Sequence, residues 1–151
     1  MKSPGRRTFI VASVFLVLMG VMHGIAQLTS RATRPEGIAI EAAMRGYHVS
    51  LGFGMSPSLL DLSDNLGFSV TIALLWLGAM GLVVATADPS ARVLRRTTIV
   101  NLVGGAALAV SQAHYRVAPP LVLLALIELL FVVSLIRQGT GKRCDTNDGE
   151  V

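Results

Sequence analysis

Residues 118–136 read APPLVLLALIELLFVVSLI, an apolar run with a single acidic residue, Glu128, near its middle. The run is long enough to cross a bilayer as a helix, which takes about 20 residues. A carboxyl at mid-bilayer costs about 2.5–3.5 kcal/mol on insertion scales, so an acid found there is expected to have a role and a partner. Glu128 is therefore the first candidate for a polar site inside the membrane.

Three further apolar runs predict an all-α membrane protein. Together the four predicted spans cover residues 8–28, 66–87, 97–113 and 118–136. Because the runs are continuously apolar rather than alternating, they favour helices over a membrane β-barrel. The composition agrees, since 52% of the 151 residues are hydrophobic and 15% are charged. The prediction is a single domain, residues 1–151, folded as a four-helix transmembrane bundle.

The basic residues predict the orientation of the spans. Nine of the 13 Lys and Arg residues flank the spans on the side of both termini, and four lie on the other side. By the positive-inside rule, the N-terminus and the tail 137–151 are cytoplasmic, in a multi-pass protein of the inner (plasma) membrane. Clustering at span ends also argues against a nucleic-acid partner, although the pI is about 10.0.

Two features of the ends bear on processing and redox state. Arg6-Arg7-Thr8-Phe9-Ile10 before an apolar core resembles a twin-arginine signal, and its cleavage before Gln27 would remove the first helix. The alternative, a retained first span, is preferred because the apolar core continues through residue 26. The single cysteine, Cys144, cannot form an internal disulfide and is expected to be an idle thiol in the cytoplasmic tail.

The connection 29–65 is predicted to be a structured extracytoplasmic loop over the outer mouth of the bundle. Pro35 followed by Glu36 is typical of a helix start and predicts a short interfacial helix at 36–47. Residues 52–57 break the backbone, and residues 58–62 predict another turn or short helix. Asp61 in that segment is either a first-turn cap or a polar group that faces the mouth.

Stripes of polar and small side chains indicate which helix faces meet protein. On the first helix, His23 and Gln27 share a stripe with Gly20, and His23 is too deep for a lipid-facing imidazole. On the third helix, Asn101 and Gln112 share a stripe with small residues. Side chains on such stripes form hydrogen bonds between helices or line a ligand entrance.

Depth along the helices suggests that these stripes meet Glu128. At about 1.5 Å per residue, Glu128 and Asn101 both lie roughly 15–18 Å below the outer surface, with His23 one to two turns shallower. His23 could therefore share a proton with Glu128. The alternative is a structural hydrogen bond from Glu128 to Asn101 or to a backbone carbonyl.

The histidines His23, His48 and His114 all fall in the outer half of the predicted bundle. No two are spaced i, i+4, and no Cys-x-x-Cys-His motif occurs, so the spacing does not predict a metal or haem site. No metal is predicted, and the cofactor is left unknown.

Short motifs in the first helix, the loop and the start of the second helix resemble an uncharacterised family of small four-span bacterial integral membrane proteins. They are Gly20-x-x-His23, Met44-x-x-x-His48 with Gly52, Ser58-Leu59-Leu60-Asp61, and Gly67-Phe68-Ser69. The resemblance implies that His23, the loop and the entrance to the second helix belong together. It implies no activity, and Glu128 lies outside the motifs.

The sequence predicts a protein that binds a small apolar or amphipathic ligand, a lipid or a quinone, in an outward-facing pocket between its first, third and fourth spans. The predicted binding residues are His23, Gln27, Asn101, Gln112, Glu128 and Asp61. One alternative is a proton-coupled carrier or a small subunit of a membrane transport complex. Others are a membrane redox enzyme and a packing partner without chemistry, and assembly as a homo-oligomer or within a larger complex is left open.

Overall fold

The computed structural model describes residues 5–29, 32–87, 89–114 and 118–144, with side chains at 121–139 in the last of these ranges. These residues form five helices and no strand. The helices are α1 (Arg6–Thr29), α2 (Pro35–Gly46), α3 (Leu59–Thr86), α4 (Ala91–His114) and α5 (Ala118–Cys144). The prediction of an all-α fold is confirmed.

Four of these helices are long and apolar enough to cross a membrane: α1, α3, α4 and the segment Leu121–Gly139 of α5. The chain is a multi-pass membrane protein, as predicted. Three helices begin earlier than the predicted spans: α1 at Arg6, α3 at Leu59 and α4 at Ala91. Polar residues end a hydropathy run without ending a helix. The segment 58–62, predicted as a turn or short helix, contains the first turn of α3, which begins at Leu59.

The chain divides into two compact units. The first unit comprises Met1–Met19 and Leu75–Val151, and the second comprises Gly20–Leu74. Helices α1 and α3 contribute residues to each unit, α4 and α5 belong to the first, and α2 with its flanking loop belongs to the second. The single-domain assignment stays a prediction.

In the first unit, α1 and α3 approach each other closely at two glycines of α3. A Cβ atom added to Gly78 would lie 2.9 Å from the backbone nitrogen of Val17 and 3.0 Å from the carbonyl oxygen of Ser13. A Cβ atom added to Gly81 would lie 2.5 Å from Oγ of Ser13. Small residues bring helix backbones into van der Waals contact, which stabilises helix pairs in lipid.

Helices α4 and α5, also in the first unit, pack along two buried stripes at helical spacing. The stripe on α4 consists of Leu94, Thr98, Asn101 and Gly105. The stripe on α5 consists of Leu124, Ile127, Phe131, Ser134 and Gln138. The ring of Phe131 also meets Phe9 of α1 edge to face, with 5.5 Å between ring centroids. Each stripe contains two polar residues, and a hydrogen bond from Gln138 to Thr98 joins the helices in addition to packing.

The loop of the second unit is held by short backbone hydrogen bonds, as expected for a structured loop. Val49 N donates to Pro57 O at 3.0 Å, and Leu59 N donates to Tyr47 O at 2.8 Å. At its tip, Gly52 has a φ of +83°, a left-handed conformation that glycine adopts without strain. Helix α2 begins at Pro35, within one residue of the predicted start. The side of the membrane on which the loop lies stays a prediction.

We expect Gly78→Ala to destabilise the protein by about 1–3 kcal/mol, because the added methyl meets backbone atoms that cannot rotate away. The control is Gly104→Ala on α4, where an added Cβ meets nothing within 4 Å. That variant should be neutral or gain up to about 1 kcal/mol from helix propensity. Thermal unfolding in detergent, followed by circular dichroism, compares the two, and equal stabilities would contradict the close approach.

Candidate functional site

Three buried side-chain atoms among the described residues have no hydrogen-bond partner. They are Ser13 Oγ and Gln138 Oε1 in the first unit and His23 Nε2 in the second. Buried polar atoms in native proteins are nearly always bonded, so each exception is a candidate for contact with a water or a ligand. His23 is the one predicted binding residue with such an atom.

The stripe of α1 that carries His23 faces α3 within the second unit. A Cβ atom on Gly24 would lie 3.0 Å from Cγ2 of Thr71, and one on Gly67 would lie 2.5 Å from Cδ of Gln27. Since Gln27 is one turn beyond His23, both side chains lie on the same side of α1. The neighbours of this stripe therefore come from α3, the second predicted span. The pocket predicted from the sequence did not include this span.

Asp61 caps the start of α3. Its Oδ2 accepts hydrogen bonds from Ser58 Oγ at 2.7 Å and from Ser58 N at 3.2 Å. In return, the amide of Asp61 donates to Ser58 Oγ at 3.1 Å. This reciprocal exchange is a capping box with Asp in place of the usual Glu or Gln. Asp61 also lines an open cavity of about 470 Å³ in the loop, so the geometry accommodates both alternatives left by the sequence.

Glu128 of α5 lies against α4 at Gly105. A Cβ atom added to Gly105 would overlap Oε1 of Glu128 and lie 2.5 Å from its Cδ. The absence of a side chain at position 105 thus provides the space that the carboxyl group occupies. The half-buried carboxyl is directed at a neighbouring helix, which is the arrangement expected of an acid retained inside a membrane.

Asn101 lies one turn from Gly105 on the same face of α4 and is 7% exposed. Its Nδ2 donates to Thr97 O at 3.2 Å, a bond within its own helix. Gln112 lies two turns beyond Gly105 and is half-buried. The structure therefore brings Asn101 and Glu128 to the same α4–α5 contact, whereas the meeting of either with His23, which belongs to the other unit, stays a prediction.

A buried polar network at the far end of the α4–α5 contact was not predicted. Gln138 Nε2 donates to Thr98 Oγ1 at 3.1 Å and to Ser134 Oγ at 3.0 Å. Ser134 Oγ donates to the carbonyl of Gly5 at 3.0 Å, and Thr98 Oγ1 donates to Leu94 O at 2.8 Å. The available signal was the i, i+4 spacing of Ser134 and Gln138, which places both on the face of Phe131.

The part of the chain that the structure describes contains no cluster of side chains suited to hold a metal ion. No three His, Cys, Asp or Glu side chains come close enough together there to hold an ion.

Removal of the cap should destabilise the second unit. We expect Ser58→Ala to lower the free energy of unfolding by about 1 kcal/mol, the usual cost of losing an N-cap. Adding Asp61→Ala to it should cost less than Asp61→Ala alone, because two of the three bonds between these residues are already lost and only the bond from Ser58 N to Asp61 Oδ2 remains. Ser63→Ala, an exposed serine of the same helix, is the control. Additive losses in the double variant, measured by thermal unfolding, would contradict the cap.

Comparison with protein-family models, curated proteins and solved structures gives no match to this chain. The resemblance to small four-span bacterial membrane proteins therefore stays a prediction.

Proposed function

We propose that the protein binds a small amphipathic ligand, a lipid or a quinone, through His23 in the membrane. The observation that carries this proposal is the buried Nε2 atom of His23, which has no hydrogen-bond partner. An imidazole nitrogen either donates to a ligand oxygen, such as a quinone or ester carbonyl, or accepts from a ligand hydroxyl.

The depth of His23 supports a ligand rather than bulk water as the missing partner. His23 is six residues from the end of α1 at Thr29, roughly 9 Å along the helix axis. Polar groups at membrane depth are costly unless they are bonded, and water is scarce there. A ligand that carries its own polar group into the bilayer meets this requirement.

The surroundings of His23 suit the rest of such a molecule. Ligand sites are mostly apolar, with a few placed polar groups that orient the ligand. Gln27 supplies a second polar group one turn away, at its contact with Gly67. Met22, the neighbour of His23 in sequence, is 65% exposed and offers apolar surface for a hydrocarbon tail.

We place the protein in the inner membrane with both termini in the cytoplasm. The support is the excess of basic residues, nine against four, on the side of the termini. In this orientation the loop and α2 are extracytoplasmic, and His23 lies in the outer half of its span. The site would then receive its ligand from the outer leaflet.

Co-purification tests the proposed site. Extraction and mass spectrometry of the purified wild type should detect a stoichiometric lipid or quinone. His23→Leu, which removes the ring nitrogens but stays apolar, should lower ligand occupancy about tenfold, the equivalent of one hydrogen bond of roughly 1.4 kcal/mol. His23→Gln, which restores an amide group, should recover part of the occupancy.

The matched control is His48→Ala in the same unit. His48 Nδ1 donates to the carbonyl of Ser56 at 2.8 Å, so this histidine already has a protein partner. Its loss should leave ligand occupancy unchanged. Equal occupancy in wild type and His23→Leu, with both proteins folded, would reject His23 as the binding residue.

A second candidate, a proton-coupled carrier, is favoured by the contact of Glu128 with Gly105. An acid that is buried against a neighbouring helix within a span is the usual element of a proton relay. A small subunit of a transport complex would use the same group.

Proton flux separates this candidate from ligand binding. If Glu128 carries protons, Glu128→Gln should reduce proton uptake into proteoliposomes at least about tenfold, since the amide keeps the shape but cannot be ionised. Glu36→Gln, an exposed glutamate of α2, should have no effect. An internal pH-sensitive dye provides the measurement, and unchanged flux in Glu128→Gln would exclude the carrier.

A further inference from the structure

A cavity of about 400 Å³ lies between the start of α4 and the end of α5 in the first unit. Its volume falls within the range of about 300–1,000 Å³ that small-molecule sites occupy. Arg92, Arg95 and Arg96 line it from α4, and Gln138 and Gly139 line it from α5. The cavity plays no part in the proposed role of His23.

The arginines leave the cavity strongly positive. At spacings of three and four residues they project from one side of α4, and all three side chains are exposed. The one acidic residue that the structure describes in this unit is Glu128, about 15 Å from Gln138 along α5. The positive end of the α4 dipole adds to the same field. The described groups therefore do not neutralise this charge.

Gln138, which lines the cavity, carries an acceptor without a hydrogen-bond partner. The protons of the Thr98 and Ser134 hydroxyls are donated to backbone carbonyls, so both hydroxyls can only accept from Nε2 of Gln138. The orientation of the amide is thereby determined. Oε1 is left buried with no partner in a side chain that is 7% exposed. A molecule in the cavity would need a hydroxyl or an N–H to satisfy this oxygen.

The helix segments that line the cavity also carry exposed apolar side chains. Ile99, which lines it, is 41% exposed, and Val100 on the same helix is 65% exposed. On α5, Ile136 is 60% exposed. These surfaces suit acyl chains better than a free phosphate ion, and basic pockets between membrane helices are known to hold lipid headgroups.

We infer that this cavity binds the headgroup of an anionic phospholipid that carries hydroxyl groups, with phosphatidylglycerol as the simplest such lipid. The arginines hold the phosphate, and a headgroup hydroxyl donates to Gln138 Oε1. The acyl chains lie against the apolar surface beside the cavity. The site is separate from the His23 site and does not depend on it.

Native mass spectrometry of the full chain in detergent tests the inference by titration with lipids of defined headgroup. Phosphatidylglycerol should bind at least about tenfold more tightly than phosphatidylcholine, because its headgroup has a net negative charge, whereas choline cancels the charge of the phosphate. Phosphatidylmethanol has the same charge without hydroxyls, and should bind about fivefold more weakly than phosphatidylglycerol if Oε1 takes part.

Two variants separate a built site from general attraction to positive charge. Arg95→Gln should weaken phosphatidylglycerol binding about fivefold, whereas Arg7→Gln, an exposed arginine outside the cavity, should leave it unchanged. Gly139→Leu keeps every charge but fills the cavity, and an added Cβ at this position meets nothing within 4 Å. It should abolish binding, while Gly104→Leu, at another open glycine, should not. Thermal unfolding verifies that each variant is folded.

The opposite results would overturn the inference. Equal losses in Arg95→Gln and Arg7→Gln, or full binding in folded Gly139→Leu, would show attraction to charge without a site. Competition by soluble glycerol phosphate at the same concentration as the lipid would assign the cavity to a free phosphate. Equal affinity for phosphatidylmethanol and phosphatidylglycerol would remove the hydroxyl contact to Gln138.

Discussion

The packing of α1 against α3 depends on close contacts at glycine residues. In lipid the hydrophobic effect does not draw helices together, so close packing must do so. In the first unit, Gly78 meets backbone atoms of α1, and in the second unit, Gly67 accommodates the side chain of Gln27. The second contact directs the stripe of His23 at α3. A packing requirement thus determines where the candidate ligand site faces.

The fold was largely predictable because hydropathy measures the property that the bilayer selects. Continuous apolar runs identified all four long helices, and Pro35 identified α2. Helix starts were less predictable, because caps and backbone bonds set them rather than apolarity. The Ser58–Asp61 exchange begins α3 seven residues before the predicted span, and Arg92 to Arg96 extend α4 although they end its apolar run.

The candidate site was predictable only in part. The cost of burial singles out His23 and Glu128, and helix rise gives their depth, but neither gives the direction in which a side chain points. The residue that such a side chain meets depends on how the helices pack, as the contact of Glu128 with Gly105 shows. The burial of Gln138 was not predictable for a different reason. Polar residues are common at the end of a span, and whether they are buried depends on neighbouring helices.

The hydrogen bond from Ser134 to the carbonyl of Gly5 joins residues 129 positions apart. Arg6 is also bonded far along the chain, to Ala85 O at 2.7 Å. During synthesis the first helix therefore enters the membrane long before these partners exist. The bond from Arg6 to Ala85 can form once α3 has been inserted, whereas the bond from Ser134 requires α5. This end of the protein is therefore complete only when the last helix is in place, and a truncation before residue 134 would remove the bond to Gly5.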